Sequence, residues 1–178
     1  MTGYFVTGTD TNVGKTVLSA LLVSAWNAVY WKPIQTGASE ATDRESVREW
    51  AEATEDRLPL ERFRFDPPVS PHLAAREAGV RIGLEAFEFP QADAARKWIV
   101  EGAGGVMVPL NERDLMRDLM RRIGFPVFYT VGNKIKKNTV QIRFKGQKFI
   151  SFRKIILDQD VVFINKVPGA YLHIFDEF

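Results

Sequence analysis

Gly8-Thr9-Asp10-Thr11-Asn12-Val13-Gly14-Lys15-Thr16 stands between the apolar Tyr4-Phe5-Val6 and a run, 15–28, with apolar side chains at Val17, Leu18, Ala20, Leu21 and Leu22. The first flank reads as a strand, the second as a helix, and the glycine loop as the hinge between them. A loop so placed turns successive backbone N–H groups and a helix N-terminus toward an anion. Gly14 lets the backbone approach phosphate oxygens, Lys15 reaches the β- and γ-phosphates, and Thr16 offers a hydroxyl to Mg²⁺. Five residues separate Gly8 from Gly14, one more than in the usual phosphate loop. A chance Gly-Lys-Thr at a helix start is the bland alternative, and the strand–loop–helix setting argues against it.

Outward from the loop, short apolar runs alternate with helical spacing. Val29-Tyr30-Trp31 reads as a second strand ended by Lys32-Pro33, and 43–53 has helical spacing through Val47, Trp50 and Ala51. The Pro-rich 65–71 reads as a surface connection, with His72 at a helix entry in an orienting or structural role. Trp98-Ile99-Val100 is a fully apolar strand running into Glu101-Gly102-Ala103-Gly104-Gly105; 113–122 is helical and 125–131 a further strand. This alternation predicts a three-layer α/β fold with a mostly parallel sheet and helices on both faces. Glu101 then sits at the carboxyl end of a strand, where ligand sites gather in open α/β sheets. Gly102, Gly104 and Gly105 are expected to supply unusual backbone angles and close approach to ligand.

The 178 residues suit one domain, 1–178, made of a 1–133 core and a 134–178 extension. The composition is 46% hydrophobic and 26% charged, which argues against disorder. With no cysteine, disulfides, thiolate metal sites and a Cys nucleophile are excluded, and a metal would need oxygen or histidine ligands. No apolar run approaches the roughly 20 residues of a membrane span, and 1–11 has neither a basic flank nor a cleavage site, so a cytoplasmic protein is expected.

Charge divides the chain near Asn133. Residues 1–133 hold 15 Lys/Arg against 18 Asp/Glu, whereas 134–178 hold 9 against 4, and 134–157 contain no acid. Val140, Ile142 and Phe144 alternate with Gln141, Arg143 and Lys145, and Gly146-Gln147 offers a turn before 148–157. That pattern predicts a β-hairpin rather than a crossover helix, with 160–165 as one more core strand. Phosphate neutralisation plus base stacking on Phe144, Phe149 and Phe152 is an alternative use of this basic stretch. A ribbon with one buried face and solvated Lys/Arg opposite is the preferred reading, so nucleic acid is not an expected partner.

Four ordered segments carry a family resemblance: the Gly8–Thr16 loop, Tyr30-Trp31-Lys32-Pro33-Ile34-Gln35-Thr36-Gly37, Ser70-Pro71-His72-Leu73-Ala74-Ala75, and Val100–Gly105 followed by Pro109-Leu110. Over residues 3–131 the chain resembles the dethiobiotin synthetase family. The resemblance implies an ATP-dependent ligase of biotin biosynthesis that joins carbon dioxide to the two amines of 7,8-diaminopelargonate through a phosphorylated carbamate, with Mg²⁺ as cofactor and a homodimeric assembly. It implies catalytic roles for Lys32 and Lys15 and substrate contacts at Thr11 and Thr36. Thr16, Asp43 and Glu101 would be metal ligands. ATP would contact Asn12, Val13, Gly14, Lys15, Thr16, Val17, Asp43, Glu101, Gly102, Ala103 and Gly104, with Asn165 and Lys166 near the adenine. A fixed ammonium at Lys32 suits a carbamate and a transferring phosphoryl group. Carboxylates from separate loops suit Mg²⁺, which prefers oxygen ligands. The pattern departs at Gly132–Thr139, where the family holds the substrate carboxylate across its dimer interface. Two other functions share the phosphate loop: an ATPase switch or partitioning-type protein, and a nucleotide-binding relative that has lost substrate capture. Lys32, Thr36 and the EGAGG segment argue against the switch.

Overall fold

The computed structural model describes residues 1–130 except 40, 93 and 94, together with the backbone of three later strands. The elements run β1 (Gly3–Gly8), α1 (Lys15–Trp26), β2 (Val29–Trp31), β3 (Ile34–Gln35), α2 (Asp43–Trp50), β4 (Phe63–Arg64), α3 (Pro71–Glu77), β5 (Trp98–Glu101), α4 (Met116–Ile123) and β6 (Val127–Thr130). Four strands form a sheet in the order β2-β5-β1-β6, and each neighbouring pair is parallel.

Side chains alternate across a strand, so each strand serves two cores. Phe5, Trp31, Trp98 and Val100 face one cluster with Ala74 and Ala75 of α3 and Met116 and Leu119 of α4. Val6, Tyr30, Ile99 and Phe128 face the other with Leu18, Leu22 and Val23 of α1 and Val47 of α2. The strands are apolar on both faces for this reason, and the three-layer α/β architecture follows from it.

Boundaries differ from the sequence reading where side chains recruit the backbone. α2 ends at Trp50 rather than Ala53, since Glu52 turns to φ 49°. α4 begins at Met116, not Arg113, because Asn111 Oδ1 accepts from the amides of Arg113 and Asp114 and holds them in a turn. The 65–71 segment is not simply a surface connection. Phe65 is buried and donates its amide to Gln35 O, Gly37 N donates to Pro67 O, and Pro71 is already the first residue of α3. Two-residue β3 and β4 pair in parallel beside this segment.

Beyond residue 130, β7 (Lys137–Phe144) pairs antiparallel with β8 (Ile150–Ile156), the ribbon that the alternation predicts, and β9 (Ala170–Tyr171) pairs antiparallel with β7. The expected turn at 146–147 and strand at 160–165 lie outside the described residues. Among the described residues no helix is long and apolar enough to cross a membrane.

Candidate active site

The loop leaving β1 reverses through Asn12 (φ 58°) and Gly14 (φ 83°), then hands the chain to α1 at Lys15. The left-handed backbone at Gly14 is open to glycine at no steric cost. Thr11 is exposed and its amide bonds Asp10 Oδ1 at 2.7 Å; Asn12 is exposed, Val13 is buried and Val17 half-buried. The second glycine segment packs against this loop. Val106 N donates to Gly8 O at 3.2 Å, and a Cβ on Gly105 would fall 2.5 Å from Thr9 O. Gly104 alone of this segment's glycines has positive φ (66°), whereas Gly102 lies against Phe5 and Met116. Gly105→Ala is therefore expected to push the phosphate loop out of shape. About 1–3 kcal/mol of stability should be lost, read as a lower thermal midpoint together with weaker nucleotide binding by calorimetry.

Three oxygens converge at the start of α1. Thr16 Oγ1 lies 2.8 Å from Asp43 Oδ1 and 3.0 Å from Glu101 Oε1. A hydroxyl has one proton, so it can donate to one carboxylate only, and an acceptor-rich contact remains. Lys32 Nζ bridges the two acids, pairing with Asp43 Oδ2 and reaching Glu101 Oε1 at 3.0 Å. It also approaches Gly102 O at 3.5 Å. Lys32 is 5% exposed and Glu101 fully buried, while the Asp43 side chain is 30% exposed and opens the cluster to solvent.

Parallel pairing accounts for the convergence. Val6 of β1 lies beside Glu101 of β5, so the phosphate loop and Glu101 leave the sheet at the same end. Trp31 pairs with Val100, which brings Lys32 level with Glu101 on the other side. Asp43 arrives from outside the sheet, at the first position of α2. There Thr42 accepts from Glu45 N at 3.2 Å, Glu45 Oε2 accepts from Thr42 N at 2.8 Å, and Gln35 Oε1 accepts from Asp43 N at 3.3 Å. Thr36, half-buried, adjoins Gln35 at this junction, and its carbonyl accepts from Gln35 Nε2 at 2.7 Å.

Electrostatics follows the geometry. Burial works to depress the Lys32 pKa, but the charges of Glu101 and Asp43 outweigh it and hold the ammonium above the ordinary lysine value. Lys15 goes the other way: burial, aided by Lys32, pulls it below that value against the opposing pull of Glu101, Asp43 and Asp10. Its ammonium folds back onto Asp10 O. Burial would raise Asp43, yet Lys32, Thr16 and Lys15 keep it below the usual carboxylate range.

The donor set fits Mg²⁺. It is all oxygen, it includes two carboxylates, and the close contact of acceptor oxygens at Thr16 is one that a cation relieves. No group of three or more His, Asp or Glu side chains suited to a metal occurs among the described residues, so phosphate and water oxygens would have to complete the shell.

The family model described as AAA domain matches residues 2–157. The chain belongs to that family. Among curated relatives, this AAA-domain chain is 52% identical over 126 residues to an ATP-dependent dethiobiotin synthetase BioD of Paramagnetospirillum magneticum, covering 71% of this chain and 60% of the relative. It is 48% identical over 122 residues to one from Rhodopseudomonas palustris (68% and 57%), and 49% over 114 residues to one from Brucella abortus (64% and 53%). The matches thus span 53–60% of these relatives' length.

Of the site residues expected for this AAA-domain chain, Lys15, Thr16, Lys32, Asp43 and Glu101 come together. Gly102 and Ala103 are buried behind them and Gly104 is half-buried. Asn165 and Lys166 lie outside the described residues. Two contributors escaped the sequence reading: Ser19 Oγ and Tyr30 Oη lie 2.7 and 3.1 Å from Glu101 Oε2. Burial and the neighbouring Glu101 charge raise the Tyr30 pKa well above its ordinary value, so it stays a phenol and a donor. Ser19 lies three residues after Thr16, the spacing that puts both on one helix face. That spacing was the available signal.

Proposed function

We propose that this chain catalyses the ATP- and Mg²⁺-dependent closure of a cyclic urea on 7,8-diaminopelargonate with carbon dioxide, forming dethiobiotin through a phosphorylated carbamate. The observation that carries the reading is Lys32: a buried ammonium fixed between two carboxylates beside the phosphate loop. A structural ion pair alone needs no phosphate loop alongside it, and the loop alone needs no buried lysine there. The family relatives named dethiobiotin synthetase support the same reading.

In this proposal Asn12, Val13, Gly14 and Val17 cradle the triphosphate with Lys15, and Gly102, Ala103 and Gly104 line its far side. Thr16, Asp43 and Glu101 hold Mg²⁺, which neutralises phosphate charge when bound. Lys32 offers positive charge where the carbamate and the transferring phosphoryl group develop negative charge. Thr11 and Thr36 contact the substrate, and Asn165 and Lys166 the adenine. We propose further that the chain forms one domain, acts as a homodimer and works in the cytoplasm.

The matched stretch covers 60% of the Paramagnetospirillum magneticum relative, and the resemblance implies that 132–139 falls where a substrate carboxylate would be held, with a sequence that departs from the family pattern. The expected result is clear ADP binding with poor diaminopelargonate affinity. Losing a charged partner costs about 1.5–3 kcal/mol, roughly 10–100-fold in affinity. The direct test measures ATP turnover with and without diaminopelargonate plus bicarbonate, and looks for dethiobiotin by mass spectrometry. Turnover indifferent to both would transfer the chain to the ATPase-switch reading; ADP binding without turnover would leave the relative that has lost substrate capture. Tight diaminopelargonate binding would mean that residues after 133 supply the missing contact.

A further inference from the structure

Glu101 receives partners on both carboxylate oxygens, and the two sets differ in kind. Oε1 faces Thr16 and the Lys32 ammonium, each at 3.0 Å. Oε2 faces only neutral hydroxyls, Ser19 Oγ at 2.7 Å and Tyr30 Oη at 3.1 Å. Ser19, Tyr30 and Glu101 are all fully buried, so no water can replace either bond.

The fold brings these hydroxyls in from two elements. Tyr30 of β2 and Ile99 of β5 face the core shared with α1, and Glu101, two residues after Ile99, faces the same way. Thr16 and Ser19 leave one face of α1 three residues apart and reach the two oxygens of the same carboxylate.

We propose that Ser19 and Tyr30 are positioning residues that set the cation affinity of the site, by locking the Glu101 carboxylate so that Oε1 is presented beside Thr16. Turning the carboxylate about its last bond breaks both Oε2 bonds at once in a water-free setting. Two neutral donors on Oε2 fix the group without cancelling its charge and keep Oε1, which already faces the Lys32 ammonium, turned toward Thr16 as the oxygen a metal ion would share. Partners of this outer kind typically change metal affinity by about 10–100-fold when removed. This inference rests on the proposed Mg²⁺ position at Thr16, Asp43 and Glu101.

The test is calorimetric titration of ADP into the full chain and into Tyr30→Phe, Ser19→Ala and the double variant, with saturating Mg²⁺, across a Mg²⁺ series, and with EDTA. Each single variant is expected to raise the half-saturating Mg²⁺ concentration about tenfold while leaving metal-free ADP affinity unchanged. The double variant should fall short of the product of the singles, since both act through one carboxylate. Tyr30→Phe retains the ring and its packing; if it nonetheless fails to fold, Ser19→Ala on a separate element decides. Equal losses with and without Mg²⁺, or an unchanged Mg²⁺ series in the folded variants, would overturn the inference alone. A wild-type chain whose ADP affinity ignores Mg²⁺ would overturn the proposed metal position and this inference together.

Discussion

Lys15→Ala and Thr16→Ala are each expected to abolish measurable Mg²⁺–ATP binding while leaving the fold intact. In the proposed site Lys15 would supply charge-assisted bonds to phosphate worth about 1.5–3 kcal/mol each, so losing two would lower affinity roughly 10²–10⁴-fold. In the absence of nucleotide the Lys15 ammonium is buried, and burial holds its pKa below the ordinary value, so the fold works against this charge. The thermal midpoint of Lys15→Ala should therefore stay put or rise. Thr16→Ala removes the hydroxyl beside Asp43 and Glu101, so its loss should be concentrated in the Mg²⁺-dependent part of binding. Titration calorimetry with and without Mg²⁺, alongside a thermal melt, separates the two. Undiminished ATP turnover in both variants would sink the phosphate-loop assignment.

Lys32→Ala carries the second large effect, and the structure gives it two components. Removing the ammonium leaves Asp43 and Glu101 facing one another with their shared cation gone. Breaking a buried pair by deleting one partner typically costs about 3–5 kcal/mol, which should appear as a marked drop in thermal midpoint without Mg²⁺. Added Mg²⁺ should restore part of that stability by bringing positive charge back to the carboxylates. The chemical component is separate: if Lys32 acts on charge that develops during reaction, turnover falls by about 10²–10³-fold, far more than ADP affinity. An equal fall in affinity and rate would make it a binding residue instead. Measuring rate and affinity at a temperature well below the variant's own midpoint keeps the components apart.

The parallel core was legible because short apolar runs alternate with stretches of helical spacing along the chain. β3 and β4 were not legible, since two residues cannot display a period of two. Their pairing is imposed by Phe65 entering the core. The charged residues of the site could be named, but not their pairing. Lys32 after a short strand has the look of a solvated lysine, and what buries it is the meeting of β2, β5 and the distant α2. Ser19 and Tyr30 were hidden by their company. Set within Leu18-Ser19-Ala20 and Val29-Tyr30-Trp31, a hydroxyl reads as spacing on an apolar face; its target is set by tertiary packing, since Tyr30 pairs with Ile99, two residues before Glu101 on the same face of β5, and Ser19 reaches that carboxylate from α1.

The two acids that meet at Thr16 belong to parts of the molecule with unequal resistance to opening. Glu101 ends a strand whose four residues are fully buried, and the next amide, Gly102 N, is locked to Val6 O at 2.9 Å. Asp43 begins an eight-residue helix with one buried side chain, Val47, closed at its start by the Thr42–Glu45 capping box. Amide hydrogen exchange would register these as different depths: slow, near-global opening around residues 98–102, and shallow local opening across 43–50. The cluster would then open from its α2 side first, releasing Asp43 into solvent while Glu101, Thr16 and Lys32 still hold their places.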